Sequence, residues 1–244
     1  MKLFLVLQAR PETDIADQEY EGICTKCELP ESRFHRIRVD QEGLDANMDL
    51  NKFAGVIVGG GPACVSDDNS TKDPLEKQVE RQLFSILPKI IKQDIAFMGC
   101  CYGLSLLVSS LGGKVDQSQY AEQVGAADCY LTTTGKTDKL TQTLSSNFQA
   151  FVGHKEAVQL LPASCSLLVT SEACPVQMVR FGENVYATQF HPEADANDIE
   201  ARIRIYRNHG YFPPEDADEL IAKCHSSDVT QPRLILKNFA HAYG

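Results

Sequence analysis

The sequence has no long hydrophobic run: no segment approaches the roughly 20 apolar residues that a membrane-spanning helix needs. The apolar run at residues 3–7 is too short for the core of a signal peptide, and no small-residue cleavage site follows it. Basic residues are also fewer than acidic ones: the chain has 23 Lys and Arg and 33 Asp and Glu, which gives a net charge of −10. Such an acidic chain disfavours nucleic-acid and anionic-membrane surfaces. We therefore expect a cytoplasmic protein with no nucleic-acid or membrane partner.

The nine cysteines form no regular disulfide framework, and their number is odd. A chain of 244 residues, 43% of them hydrophobic, can bury a core without such crosslinks. The cysteines are therefore interpreted as thiols of a reducing compartment. Cys24 and Cys27 have the spacing of a redox or zinc-binding pair, but no second Cys or His pair follows at the interval of a zinc finger. We expect no metal and no cofactor.

Alternating short apolar runs and longer helical patterns predict an α/β fold. Strands are predicted at residues 3–7, 34–39, 55–58 and 95–98, then, more closely spaced, at 129–131, 166–170, 177–181 and 185–189. Helices are predicted at residues 73–92, 104–111, 198–208, 213–224 and 232–243. Pro74 is tolerated at the first turn of its helix, whereas Pro88 should kink or split the same helix. Residues 180–184 have the composition of a hairpin turn.

This order predicts an open, mostly parallel sheet with helices on both faces and an antiparallel extension. No repeat and no long linker divides the chain. We therefore expect one domain over residues 1–244, in which residues 195–244 form a helical carboxyl-terminal extension. The aromatic segment 209–214 is interpreted as a cap on the core, with a partner-docking site as the alternative.

The sharpest local signal is Gly99-Cys100-Cys101-Tyr102-Gly103, which joins an apolar strand to an apolar helix. This is the pattern of a nucleophile elbow with cysteine in place of serine. Cys101 occupies the turn, whereas Cys100 should point into the sheet. The helix amino terminus is expected to lower the pKa of Cys101 below the free value of about 8.5. The alternative is a pair of buried cysteines at the end of a core strand.

Two further segments belong at the same edge of the sheet. Gly59-Gly60-Gly61-Pro62 follows the third strand and allows a main-chain N–H to point at a substrate oxygen, which together with the N–H of Tyr102 makes an oxyanion hole. No Lys-Ser/Thr follows, so a nucleotide-binding P-loop is disfavoured; a tight turn is the alternative. His191 leaves a predicted strand, and Glu193 can accept a hydrogen bond from its ring. A structural histidine is the alternative here.

These motifs, in this order, resemble the class I (triad-type) glutamine amidotransferases, and most of all the glutaminase domain of GMP synthases. The resemblance rests on Gly60-Gly61-Pro62, the elbow at 99–103 and Gln189-Phe190-His191-Pro192-Glu193, and it extends to 111–115 and 153–158, covering about residues 1–194. It implies the flavodoxin-like three-layer fold of that family.

The resemblance also implies roles for individual residues. Cys101 attacks the side-chain amide carbon of glutamine, His191 carries the proton to ammonia, and Glu193 orients His191. The N–H groups of Gly61 and Tyr102 hold the oxyanion. Gly153, His154 and Lys155 correspond to a segment that holds glutamine by its main chain, with a plain hydrogen-bonded histidine as the alternative for His154.

Two departures from the family pattern leave the substrate open. Ser105 stands where the family has a glutamine that helps bind the amino-acid end of the substrate. The sequence also contains no Ser-Gly-Gly-x-Asp-Ser motif, so we expect that the chain does not make GMP itself. Either a separate synthase subunit accepts the ammonia, or the chain cleaves another γ-glutamyl amide. A catalytically silent binding or regulatory module is the third alternative.

Overall fold

The computed structural model describes residues 1–208 and 211–244. Its strands are β1 (Phe4–Gln8), β2 (Phe34–Arg38), β3 (Gly55–Val58), β4 (Phe97–Cys100), β5 (Lys114–Asp116), β6 (Glu122–Leu131), β7 (Asn147–His154), β8 (Ala157–Leu160), β9 (Cys165–Ser171), β10 (Met178–Phe181) and β11 (Val185–Thr188). Its α-helices are α1 (Thr13–Lys26), α2 (Val39–Glu42), α3 (Pro74–Gln93), α4 (Tyr102–Ser110), α5 (Ala196–Ile205), α6 (Ala217–Ser226) and α7 (Arg233–Tyr243).

Nine of these strands form one mixed sheet in the order β2-β1-β3-β4-β11-β10-β9-β6-β7. The strands from β2 to β11 run parallel, and β10, β9, β6 and β7 continue the sheet as antiparallel neighbours. β5 and β8 form a separate antiparallel pair. This arrangement confirms the predicted fold class. It also brings the carboxyl ends of β1, β3 and β4 to one edge, where ligands of open α/β sheets bind.

Helices cover both faces of the parallel part because its strands are apolar on both sides. Phe4 and Val6 pack with the buried residues of α1 and α7, whereas Leu5 and Leu7 pack with those of α3 and α4. All five residues of β1 are buried, as expected for a central parallel strand. A third apolar cluster joins α5 and α6 to Phe151 of β7. The helices that follow residue 195 are α5, α6 and α7.

Helix α3 begins with a capping box in which Asp73 accepts from the N–H of Leu75 and Glu76 accepts from the N–H of Asp73. The helix continues through Pro88, so the expected split is wrong. Leu87 and Ile90 are buried on either side of the proline, and this packing compensates for the backbone hydrogen bond that proline removes.

The predicted element boundaries shift by a few residues, and three strands were missed. β4 starts two residues later than expected, and the run predicted at 129–131 is the end of the ten-residue strand β6. β5, β7 and β8 had no predicted counterpart. The hairpin expected at residues 180–184 joins β10 to β11. Among the described residues, no helix is both long and apolar enough to cross a lipid bilayer.

Candidate active site

Cys101 occupies a strained turn between β4 and α4. Its φ of 50° and ψ of −93° lie outside the usual regions for a residue with a side chain. Its N–H donates to the carbonyl of Thr188 at 2.7 Å, which ties the turn to β11. A Cβ on Gly99 would lie 2.7 Å from the carbonyl carbon of Gly103, so the first elbow position requires glycine. Cys100 is fully buried at the end of β4, as predicted.

Cys101 and His191 line one small cavity at this edge of the sheet. Its volume is about 40 Å³, room for about three water molecules. The lining also includes Gly61 and Gly153 from the predicted site. The remaining lining residues were not predicted: Arg10, Val124, Val152, Ile199, Arg202, Tyr206, Tyr211 and Phe212. The structure therefore brings together Cys101, His191, the glycine loop and the end of β7.

His191 is held by Glu193, and Glu193 is held by Arg202. Nδ1 of His191 lies 2.7 Å from Oε1 of Glu193, which also accepts from Nη2 of Arg202 at 3.0 Å. All three side chains are buried. Burial lowers the pKa of His191 below its ordinary value, although the charge of Glu193 acts to raise it. Burial acts to raise the pKa of Glu193, but His191 and Arg202 lower it overall.

The pKa of Cys101 is not lowered, contrary to the expectation from its place at a helix amino terminus. Burial raises the pKa of the Cys101 thiol to about 12, although the nearby Arg10 guanidinium lowers it. Removal of the sulfur from water disfavours the thiolate more than the charge of Arg10 favours it. Cys101 is therefore a neutral thiol, and His191 a neutral imidazole, at neutral pH.

The glycine loop after β3 is fixed by a buried ion pair. The N–H of Gly60 donates to Oε1 of Glu19 at 3.0 Å, and Nε of Arg10 donates to the same oxygen at 3.0 Å. A Cβ on Gly60 would lie 2.7 Å from Nη2 of Arg10 and 2.9 Å from Cε1 of His191. The N–H of Gly60 is thus already bonded, and Gly61 is the loop residue that lines the cavity.

Tyr102 and Ser105 lie on α4, directly after the nucleophile. The phenol of Tyr102 donates to Glu80 at 3.2 Å, and its ring lies against Gly61. Ser105 is only 2% exposed and does not belong to the described lining of the cavity.

His154 and Lys155 lie beside the cavity rather than in its described lining. Nδ1 of His154 is 2.8 Å from the carbonyl of Glu156, and Nε2 is 2.9 Å from Oε2 of Glu122. The ammonium of Lys155 lies 4.3 Å from the centre of the Tyr211 ring. His154 therefore has the hydrogen-bonded geometry that was the alternative interpretation for it.

Part of the aromatic segment 209–214 covers the cavity. Tyr211 donates to the carbonyl of Pro62 at 3.0 Å, and Phe212 is 6% exposed. Both line the cavity, which agrees with the cap interpretation. His209 and Gly210 lie outside the described residues.

The residues that the sequence interpretation missed include four with polar side chains: Arg10, Glu19, Arg202 and Tyr206. Arg10 follows β1, and its position at the carboxyl edge of a parallel strand was the available signal. Arg10 donates to the hydroxyl of Tyr206 at 3.1 Å. Arg202 and Tyr206 lie near the end of α5, beyond the region of family resemblance, and no motif marked them.

Comparisons with known proteins show the family and the fold. Residues 23–223 match the family model described as "Glutamine amidotransferase class-I". A GMP synthase [glutamine-hydrolyzing] of Petrotoga mobilis is 30% identical over 167 residues, covering 67% of this chain and 29% of that protein. A GMP synthase [glutamine-hydrolyzing] of Bacillus pumilus is 32% identical over 140 residues, covering 57% of this chain and 24% of that protein.

The chain therefore spans less than a third of the length of these curated relatives. The fold matches the crystal structure of a glutamine amidotransferase from Thermotoga maritima, with a TM-score of 0.77, 19% identity and coverage of 100% of this chain and 98% of that one. The chain belongs to the class I glutamine amidotransferase family.

Proposed function

We propose that the chain hydrolyses the side-chain amide of glutamine to glutamate and ammonia, with Cys101, His191 and Glu193 as its catalytic residues. One observation carries the proposal. Cys101, on a strained turn with a φ of 50°, and His191, bonded to Glu193 at 2.7 Å, line the same cavity. A nucleophile, a base and a group that orients the base are the parts that acyl transfer needs.

The first step starts from a neutral pair. Because the pKa of Cys101 is about 12 and burial lowers the pKa of His191, the thiol proton moves to His191 as the sulfur attacks the amide carbon. Glu193 stabilises the imidazolium that forms. The main-chain N–H groups of Gly61 and Tyr102 donate to the oxyanion of the tetrahedral intermediate.

The later steps return the proton and regenerate the thiol. His191 gives its proton to the amide nitrogen, the carbon–nitrogen bond breaks, and ammonia leaves behind a γ-glutamyl thioester. A water molecule then attacks the thioester while His191 takes its proton. The carbon–sulfur bond breaks, glutamate leaves, and the proton returns to Cys101. Tyr211 and Phe212 line the cavity, so they would lie beside the bound glutamine.

Release of ammonia and glutamate from glutamine tests the proposal. The wild type should release both in equal amounts, and Cys101→Ala should release neither. Cys100→Ala is the matched control, because it removes the neighbouring sulfur and should stay active. Activity in Cys101→Ala, or its loss in Cys100→Ala alone, would contradict the assignment of the nucleophile.

We further propose that a separate synthase subunit accepts the ammonia. The support is that the curated relatives are named GMP synthases and that the chain covers only 29% and 24% of their lengths. Co-purification from the source cells and transfer of labelled amide nitrogen from glutamine to an acceptor test this step. Complete loss of the label to bulk ammonia, with the co-purified proteins present, would count against a dedicated acceptor.

A γ-glutamyl hydrolase is the second candidate, and Ser105 favours it. The family's glutamine is absent at this position. Ser105 of α4 is only 2% exposed, so its side chain can make little contact with the amino-acid end of free glutamine. Cleavage of a γ-glutamyl dipeptide, without ammonia release from glutamine, would support this candidate. If Cys101→Ala and the wild type are equally inactive on both substrates even with the co-purified proteins present, the chain is a silent module.

A further inference from the structure

Three potential metal ligands meet in the antiparallel extension, outside the catalytic cavity. They are Glu122 of β6, His154 at the end of β7, and Cys174 in the turn between β9 and β10. Their ligand atoms all lie within 4.8 Å of one another. Glu122 and His154 are direct partners in the strand register, which fixes their side chains on the same face.

Both ring nitrogens of His154 lie within hydrogen-bond distance of an acceptor oxygen. Nδ1 is 2.8 Å from the carbonyl of Glu156, and only a protonated nitrogen can donate to a carbonyl. Nε2 lies 2.9 Å from Oε2 of Glu122. With Nδ1 as the donor, Nε2 and Oε2 can share either a second proton or a cation between them.

We propose that Glu122, His154 and Cys174 bind a divalent cation of the zinc class. One carboxylate, one imidazole and one thiolate suit Zn²⁺, whereas Mg²⁺ and Ca²⁺ prefer oxygen ligands alone. A carboxylate and a thiolate supply two negative charges and neutralise the ion. Zinc bonds of about 2.0–2.3 Å place ligand atoms roughly 3–4 Å apart, so the cluster needs only a small contraction around the ion.

The surroundings have the other features of such a site. The carbonyl of Glu156 orients the imidazole, as a backbone carbonyl does for many metal-bound histidines. Gln177 donates to Oε2 of Glu122 at 2.7 Å, and its own Oε1 is buried without a hydrogen-bond partner in the described part of the chain. Glu122 and His154 also line a depression that is open to solvent, which gives the ion a route of access.

Binding exchanges protons for the ion. Cys174 binds the ion as a thiolate, so its thiol proton is released when sulfur bonds the metal. Because Gly153 precedes His154 and lines the catalytic cavity, the bound ion fixes the end of β7 beside that cavity. No metal was expected because the sequence was searched only for pairs of closely spaced cysteines. Such spacing does not reveal ligands that lie on three separate elements.

Titration of the chelator-treated full chain with Co²⁺ tests the proposal without any measurement of activity. We expect one ion per chain, with a sulfur-to-cobalt charge-transfer band and the spectrum of a four-coordinate ion; Zn²⁺ should displace the Co²⁺. Cys174→Ser should abolish the band. Cys165→Ser is the matched control, because this half-buried thiol lies outside the cluster, and its band should be unchanged.

A second variant covers the case in which Cys174→Ser fails to fold. Glu122→Gln keeps a hydrogen bond to Nε2 of His154 but loses the anionic ligand. It should keep the charge-transfer band and weaken Co²⁺ binding at least about tenfold, because even the loss of an outer-shell partner of a metal ligand costs about 10–100-fold in affinity. Absence of the band in the wild type, its persistence in Cys174→Ser, or its loss in Cys101→Ala would overturn the proposal and leave Glu122 and His154 as a structural ion pair.

Discussion

The main-chain N–H of Gly60 donates to Oε1 of Glu19 at 3.0 Å, and this bond joins the glycine loop to helix α1. Glu19 is 1% exposed and is also the ion-pair partner of Arg10, which lines the catalytic cavity. One carboxylate oxygen thus fixes both a loop that forms the proposed oxyanion hole and a cation beside Cys101. Backbone donors need such fixed supports, because their contribution to catalysis depends on orientation before the reaction.

Glu19→Gln is expected to lower both stability and glutamine hydrolysis. The amide oxygen can still accept from Gly60, but Arg10 remains buried without a counter-charge, which costs about 3–5 kcal/mol in comparable cases. Denaturant unfolding and ammonia release measure the two effects. Glu21→Gln is the matched control, since Glu21 lies on the same helix and is exposed. Equal behaviour of the two variants would contradict the role of Glu19.

Gly60→Ala should reduce activity while the protein stays folded. The added Cβ would lie 2.9 Å from Cε1 of His191 and 2.7 Å from Arg10, so one or both must move. A displacement of about 1 Å at such a site costs about 100-fold in rate. Gly125→Ala is the control, because no atom lies within 4 Å of its added Cβ. An active Gly60→Ala would indicate that His191 does not act from its observed position.

The parallel half of the fold was predictable because its sequence signals are local. β3 matches its expected range of residues, and the elbow at Cys101 follows directly from two glycines around a cysteine. The antiparallel half was less so: β9 and β10 were predicted, but β7 was missed, and of β6 only the last residues were predicted. β6 pairs on both sides with strands that are distant in sequence, and its burial is mixed rather than regularly alternating, so its periodicity is weak.

The site was predictable where residues share a motif, and not where they meet only in space. His191 and Glu193 are two positions apart, whereas Arg10 and Arg202 reach the cavity from opposite ends of the chain. The pKa of Cys101 was predicted in the wrong direction for a related reason. A helix amino terminus is visible in sequence, but the burial that raises the pKa of Cys101 arises only from the tertiary packing around it.

The alkylation rate of Cys101 should continue to rise with pH beyond the pKa of a free thiol. Because the pKa of Cys101 is about 12, the thiolate fraction, and with it the rate of reaction with iodoacetamide, should rise about tenfold per pH unit between pH 7 and 10; an ordinary thiol levels off near about pH 8.5. Mass spectrometry of the peptide containing Cys101 follows the reaction, with Cys101→Ala as the blank. A plateau below pH 9 would show that the thiolate is stabilised more than burial allows.

Arg202 is a positioning residue whose loss should shift the pH dependence of activity. Activity requires neutral His191, so it falls as the pH drops through the pKa of that residue. Burial lowers the pKa of His191, and the charge of Arg202 lowers it further. Arg202→Met removes that contribution, so the pKa of His191 rises and the acid limb of kcat/KM moves to higher pH.

Two controls separate this electrostatic role from simple packing. Arg202→Lys keeps the charge and should keep the acid limb near its wild-type position. Arg204→Met removes an exposed arginine from the same helix, where it pairs with Glu200, and should leave the profile unchanged. If Arg202→Met lowers kcat/KM equally at every pH, Arg202 only supports the structure around Glu193. A shift shared by Arg202→Met and Arg204→Met would instead reflect the net charge of the chain, because both variants change it by the same amount.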